Sequence, residues 1–157
     1  MGIISEQSDH VEKDQIDFLS ILVPVYNEVE CIEIFYHEIT SVLKELPCRY
    51  EIMFVNDGSL DDTIGVIKEL STTDKSVKCI DLSRNFGKEI AMAAGMDYIS
   101  GDAVIIIDAD LQDPPSLIPE MLKYWKEGFD DVYAVRETRV GESFIKRISS
   151  ALFYRVL

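Results

Sequence analysis

Residues 103–115 read Ala103-Val104-Ile105-Ile106-Ile107-Asp108-Ala109-Asp110-Leu111-Gln112-Asp113-Pro114-Pro115. The first five are apolar and mostly β-branched, the pattern of a buried strand. Strand side chains alternate faces, so Asp108 and Asp110 project the same way for as long as the strand geometry lasts. Carboxylates at the C-terminal mouth of a buried strand lie where open α/β sheets bind ligands. Together with the Gln112 amide they make an all-oxygen set that suits Mg²⁺ or Mn²⁺, ions that usually serve phosphate-bearing substrates. Pro114-Pro115 then ends the extended stretch and stiffens the turn into a helix. Taken alone, the same run also reads as a solvated acidic turn. The rest of the chain favours the binding site.

Working outward, strand and helix patterns alternate. Strands are predicted at residues 18–23 (ended by Pro24), 50–55, 77–82, 103–107 and 131–135. Helices are predicted at 30–46, 61–70, 88–99 and 117–126, with Ser59 or Asp61 capping the second. The third helix carries Ala91, Ala93, Ala94 and Gly95, small enough to lie close on a sheet. Strict alternation of this kind implies an α/β fold, a mainly parallel sheet with helices on both faces.

Four loops then fall at C-terminal strand ends and so on one edge of the sheet. They are Pro24-Val25-Tyr26-Asn27-Glu28, Asn56-Asp57-Gly58-Ser59, Ser83-Arg84-Asn85-Phe86-Gly87-Lys88 and the Asp108–Pro115 run. That edge collects Glu28, Asp57, Asp108 and Asp110 as carboxylates able to hold a base, a ribose or a metal. It also collects Arg84 and Lys88 as cations for phosphate. Each has a plainer reading: Asp57-Gly58 as a turn, Tyr26 as a packing ring, Asn27-Glu28 as a cap, Arg84 and Lys88 as surface charges. The convergence of all four loops outweighs them. His37 is read as structural or solvated. No G-x-G-x-x-G, P-loop or G-x-S-x-G fingerprint is present, which argues against dinucleotide dehydrogenases, P-loop enzymes and α/β-hydrolases.

The chain has 157 residues, enough for one domain with a real core, and its 47% hydrophobic and 28% charged content is ordinary for a globular protein. A net charge of −14 argues against nucleic acid as a partner. The charge is uneven. Residues 134–157 hold five basic and two acidic side chains, while residues 1–133 carry a net −17. A basic end on an acidic body suits a phosphate or an anionic membrane surface. Residues 143–157 space Phe144, Ile148, Leu152 and Val156 on one helical side with Lys146, Arg147 and Arg155 beside it, the pattern of an interfacial amphipathic helix. Packing on the sheet or on a further segment is the equal alternative. Residues 1–17 read as a flexible acidic tail. The three cysteines show no metal spacing and read as reduced thiols. There is no signal-peptide pattern, and no apolar run is long enough to span a bilayer.

At these motifs the chain resembles the family 2 inverting glycosyltransferases of the GT-A nucleotide-diphospho-sugar transferase fold. The resemblance rests on Val23-Pro24-Val25-Tyr26-Asn27-Glu28, on Asn56-Asp57-Gly58-Ser59 with Asp61-Asp62-Thr63, and on Asp108-Ala109-Asp110. Leu82-Ser83-Arg84-Asn85-Phe86-Gly87-Lys88-Glu89, Asp110–Pro115 and Phe153-Tyr154-Arg155 are similar to its polyprenyl-phosphate branch, that of the dolichyl- and undecaprenyl-phosphate glycosyltransferases. The resemblance implies a catalytic domain at 18–142 and a membrane-proximal helix at 143–157. It implies a chain cut before C-terminal membrane helices, working at the cytoplasmic face of the membrane, with a homo-oligomer possible. Pro24, Tyr26, Glu28 and Asp57 would line the nucleoside pocket of a UDP- or GDP-sugar. Asp108 would contact the nucleotide sugar, and Asp110 and Gln112 would hold Mg²⁺ or Mn²⁺. Arg136 and Arg139 would face the donor diphosphate or the acceptor polyprenyl phosphate, with Arg84 and Lys88 as further phosphate contacts. The alternatives are a glycan-extending relative with a sugar-hydroxyl acceptor, which would need a carboxylate base, and a non-catalytic nucleotide-sugar-binding module.

Overall fold

The computed structural model describes residues 2–6 and 16–135. In chain order the elements are β1 (Gly2–Glu6), β2 (Phe18–Val25), α1 (Ile32–Leu43), β3 (Arg49–Asn56), α2 (Thr63–Thr73) and β4 (Val77–Asp81). They continue with α3 (Lys88–Met96), β5 (Ala103–Ile106), a 3₁₀ turn (Pro115–Leu117), α4 (Ile118–Lys126) and β6 (Asp131–Val135). Four strands form a parallel sheet in the order β4-β3-β2-β5. The chain builds outward from β2 through β3 to β4, then crosses back to lay β5 on β2's other side. The strand order therefore reverses between β2 and β5, and the carboxyl ends of these two strands define the binding crevice of such a sheet.

Both faces are covered, as the alternation predicts. On one, Ile21, Val23 and Phe54 of the sheet pack with Phe35 and Ile39 of α1, Ile67 of α2 and Ile118 of α4. Residues 32, 35, 39 and 43 of α1 repeat at helical spacing, and all are fully buried. On the other face Leu22, Met53 and Val55 meet Ala91 of α3. A side chain at Gly95 would overlap Leu22, so small residues do bring α3 close to the sheet. Burial of a large apolar side chain contributes roughly 1.5–3 kcal/mol, so these two layers dominate stability.

Three expectations change. Pro24 does not end its strand: β2 runs to Val25, with Pro24 opposite Val55. Val25 O accepts the Asp57 N–H on the β3 side, so neighbouring Pro24 turns its ring nitrogen towards β5. The β5 ladder ends there, with Leu22 opposite Ile106 and the Ile107 N–H on Leu22 O, because Pro24 has no N–H to continue it. Second, β6 does not extend the parallel sheet. It pairs antiparallel with β1, Gly2 opposite Val135. Third, part of the stretch read as a tail is structured: residues 2–6 form that strand, Ile16 is buried, and the Asp17 and Phe18 N–H groups both donate to Asp102 Oδ2. The helix ends also shift by a few residues; α1 stops at Leu43, where Glu45 and Leu46 tighten onto the carbonyls three residues back. Among the described residues no helix is long and apolar enough to cross a membrane. Arg136, Arg139 and the 143–157 segment lie outside the described residues.

Candidate active site at the β2–β5 switch

The loop after β2 is held by the loop after β3. Asn27 adopts a left-handed conformation at φ 55°, which Asn tolerates better than most residues. Its Oδ1 accepts the Leu60 N–H at 2.7 Å, and its own N–H donates to Ser59 Oγ at 2.9 Å. The Glu28 N–H donates to Thr63 Oγ1 at 2.9 Å and the Val29 N–H to Asp61 Oδ2 at 3.3 Å. Asp61 also accepts the Thr63 N–H, so it, rather than the cap-position Asp62, serves the start of α2. Burial opposes ionisation of Asp61, but these hydrogen bonds prevail and hold its carboxyl below the usual range.

The loop after β4 is held in turn by Asp57. Its side chain is 3% exposed; Oδ1 accepts the Phe86 N–H at 2.7 Å and Oδ2 the Gly87 N–H at 2.9 Å. Gly58, at φ 65°, packs flat on the same loop: a Cβ there would run into the Arg84 carbonyl carbon and come within 2.6 Å of the Asn85 nitrogen. Gly87, at φ 100°, then opens α3, and Lys88 is its first residue.

Beyond β5 the backbone continues alongside β2, with Ile107 N–H donating to Leu22 O at 3.1 Å. Lys88 Nζ lies 2.6 Å from Asp108 Oδ1 and 2.7 Å from Oδ2. Asp110 Oδ1 accepts the Gln112 N–H at 3.0 Å across Leu111, which sits at φ 57°. A left-handed leucine costs about 1–2 kcal/mol, a strain located between the two expected metal-holding residues.

These loops enclose one cleft of about 300 Å³, at the lower end of the roughly 300–1,000 Å³ of small-molecule sites. Its walls include Pro24, Tyr26, Glu28, Asp57, Lys88, Asp108 and Asp110, seven of the residues singled out in the sequence. Asn85 and Gly87 join them with the Ser83–Lys88 loop motif as their only signal, and Ala91, read in the sequence as a packing residue, joins from α3. Arg84 is not on the wall; its guanidinium stands 4.7 Å over the Phe86 ring. Nor is Gln112, which is exposed beyond Asp110. Burial first, then a hydrogen bond to Glu28 and the neighbouring charges of Glu28, Glu30 and Asp110, push the Cys31 thiol up from its usual range. Among the described residues no three His, Cys, Asp or Glu side chains converge into a ready metal cage. A second, larger cleft of about 780 Å³ runs along the outer edge of β5 beside α4 and β6, but its walls are largely apolar and include none of the candidate site residues.

A parallel α/β sheet with an acidic cleft at its strand-order reversal is a ligand-binding architecture. The chain matches the model of glycosyl transferase family 2 over residues 20–156, and it belongs to that family. It is 54% identical to the uncharacterized glycosyltransferase YkcC of Bacillus subtilis, over 88% of this chain and 43% of the relative. It is 44% identical to the bactoprenol glucosyl transferase of Shigella phage SfV, over 88% of this chain and 45% of the relative. The chain thus spans less than half the length of the curated relatives it matches. The mannosyltransferase PcManGT of Pyrobaculum calidifontis, solved in complex with GDP-Man and Mn²⁺, has the same fold: TM-score 0.59 at 20% identity, over 76% of this chain and 35% of that one. The fold is GT-A, as the motifs implied.

Proposed function

We propose that this chain carries the donor site of an enzyme that moves a sugar from a nucleoside diphosphate sugar to a polyprenyl phosphate, with inversion at the anomeric carbon. The observation that carries the reading is the single cleft at the β2–β5 switch, where the loops of four strands bring Tyr26, Glu28, Asp57, Lys88, Asp108 and Asp110 together. In this reading Pro24, Tyr26, Glu28 and Asp57 bound the nucleoside, with Asp57 also fixing the loop that carries Lys88. Asp108 contacts the donor sugar, and Asp110 with Gln112 holds Mg²⁺ or Mn²⁺. The donor chemistry fits: Asp110 and Gln112 offer exposed oxygen atoms from one short turn, and such ligands would suit a hard cation that also takes substrate phosphate and water. Such an ion, when bound, supplies charge stabilisation to the departing diphosphate. Lys88, and Arg136 and Arg139 from the following segment, add positive charge for the same phosphates.

The lipid acceptor is supported by the bactoprenol glucosyl transferases among the relatives. A phosphate acceptor, with a second pKa of about 6, is mostly ionised at neutral pH and attacks without a protein base. Residues 143–157 would bring the site to the cytoplasmic membrane surface. The test has two arms. In calorimetry, Asp110→Ala is expected to abolish Mn²⁺-enhanced binding of UDP or GDP while circular dichroism stays unchanged; unaltered affinity sinks the metal assignment. In the second arm, labelled UDP-, GDP- and CDP-sugars are offered with a short polyprenyl phosphate. Label in the lipid fraction is expected from one of them, and its absence with all three rejects the acceptor.

A further inference from the structure

Lys88 engages both oxygens of Asp108 at 2.6 and 2.7 Å, although the two residues are 20 positions apart and come from the loops after different strands. The arrangement is built rather than incidental. Asp57 fixes the backbone of Phe86 and Gly87 immediately before Lys88. Gly58 packs flat under the same loop, and Lys88 starts a helix seated on the sheet through Ala91 and Gly95. Yet the ion pair itself is open to solvent, Lys88 being 53% and Asp108 38% exposed, so it can exchange partners without unpacking the core. The cleft otherwise holds Glu28, Asp57 and Asp110 as carboxylates and no other Lys or Arg on its described walls.

We propose that Lys88 is the resident counter-cation of Asp108 in the nucleotide-free protein, and that it couples cation binding to diphosphate binding. The inference rests on the donor-site reading above. With Lys88 on Asp108, the cleft presents a divalent cation with one negative charge fewer and a competing ammonium. The cation alone therefore binds weakly. A nucleoside diphosphate changes the balance. Its phosphate oxygens both ligate the divalent ion and offer Lys88 a second anionic partner, so the ammonium can turn from Asp108 without losing its charge partner. Lys88 is thus a positioning residue whose removal has opposite effects on two ligands: it strengthens binding of the metal alone and weakens binding of the metal–nucleotide pair.

The experiment measures Mn²⁺ alone by electron paramagnetic resonance, and UDP and GDP with saturating Mn²⁺ by calorimetry, on the whole chain. Lys88→Met, which keeps the aliphatic stem, is expected to bind Mn²⁺ alone about fivefold tighter, the upper range for an exposed ion pair. It is expected to bind the diphosphate about fivefold weaker. Lys88→Arg, which keeps the charge, is expected to match the wild type in the metal arm. Metal-alone affinity unchanged or reduced in Lys88→Met overturns the proposal, as does a tightening that Lys88→Arg reproduces. Failure of the wild type to bind any nucleoside diphosphate with Mn²⁺ would instead sink the donor-site reading, while the metal arm still decides the counter-cation role.

Discussion

One carboxylate, that of Asp57, holds two consecutive backbone N–H groups of a distant loop, Phe86 on one oxygen and Gly87 on the other. The sequence suggests only that Asp57 faces the nucleoside. The geometry adds that it sets the path of the loop leading into Lys88. A buried N–H left without an acceptor costs about 1–3 kcal/mol. Asp57→Ala is accordingly expected to lose about that much stability in urea unfolding, and to weaken free UDP or GDP as much as the full nucleotide sugar. Loss of nucleotide-sugar binding with free-nucleotide binding intact would contradict the assignment.

Gly58 and Gly87 both have positive φ, yet their substitutions should differ. A Cβ at Gly58 collides with the Arg84–Asn85 backbone, whereas a Cβ at Gly87 meets nothing within 4 Å. Gly87→Ala is expected to cost about 1–3 kcal/mol from conformation alone, because φ 100° with ψ 152° is a backbone region essentially reserved for glycine. Gly58→Ala should cost at least about twice that and lower nucleotide affinity as well, because the strand-end loops must part. Equal destabilisation in chemical denaturation would show that the loops yield freely.

Glu51 predicts an acid limb. It is 1% exposed, accepts from Ser20 Oγ at 2.6 Å and from the Ser100 N–H at 2.8 Å, and has Lys78 Nζ 2.6 Å from its other oxygen. Burial opposes its ionisation, but the bonds from Lys78, Ser20 and Ser100 prevail and keep its carboxyl below the ordinary range. A folded-state pKa below the unfolded value means stability that is complete above the unfolded value, about 4.3, and is lost as pH falls through the folded one. Glu51→Gln is expected to lower stability at pH 7 by about 1–3 kcal/mol and to flatten the decline below pH 4.5. Parallel curves for the two proteins, from urea midpoints across pH, would remove Glu51 from the acid response.

If residues 143–157 bring the site to its lipid, the protein should float with anionic liposomes and be released by high salt. Each basic residue near an anionic leaflet contributes about 1 kcal/mol, screened within a Debye length. The Lys146/Arg147/Arg155→Glu variant should stay in the soluble fraction. Equal recovery of both proteins on anionic and neutral lipid would leave only a packing role for this segment.

Much of this architecture was legible in the sequence because parallel strands, buried on both faces, announce themselves as apolar runs, and the loops after them carry unusual residues. The convergence of Tyr26, Glu28, Asp57, Asp108 and Asp110 followed from one rule about strand ends. Strand pairing was less legible. Asp131–Val135 has the pattern of a strand, but periodicity says nothing of its partner, and its alliance with Gly2–Glu6 is a contact across almost the whole chain. Individual side-chain partners were also hidden: Lys88 carries no mark that points to Asp108, and Asp57-Gly58 reads as a turn until the loop it holds is seen. Leu111 is the opposite case, a residue whose type argues against the backbone it adopts.

The β1–β6 pairing sets an order of events. Joining Gly2 to Val135 closes a loop of more than 130 residues, whereas β2 pairs with β3, and β3 with β4, each after one helical crossover. Chain closure over that distance carries the larger entropic cost and slows formation, so the two-stranded ribbon should assemble after the sheet and open before it. Amide protons of residues 131–135 should therefore exchange through a local opening that leaves β2 and β3 protected. The strand that ends at Val135 is then the part of this domain that opens while β2 and β3, whose ends carry the cleft, stay closed.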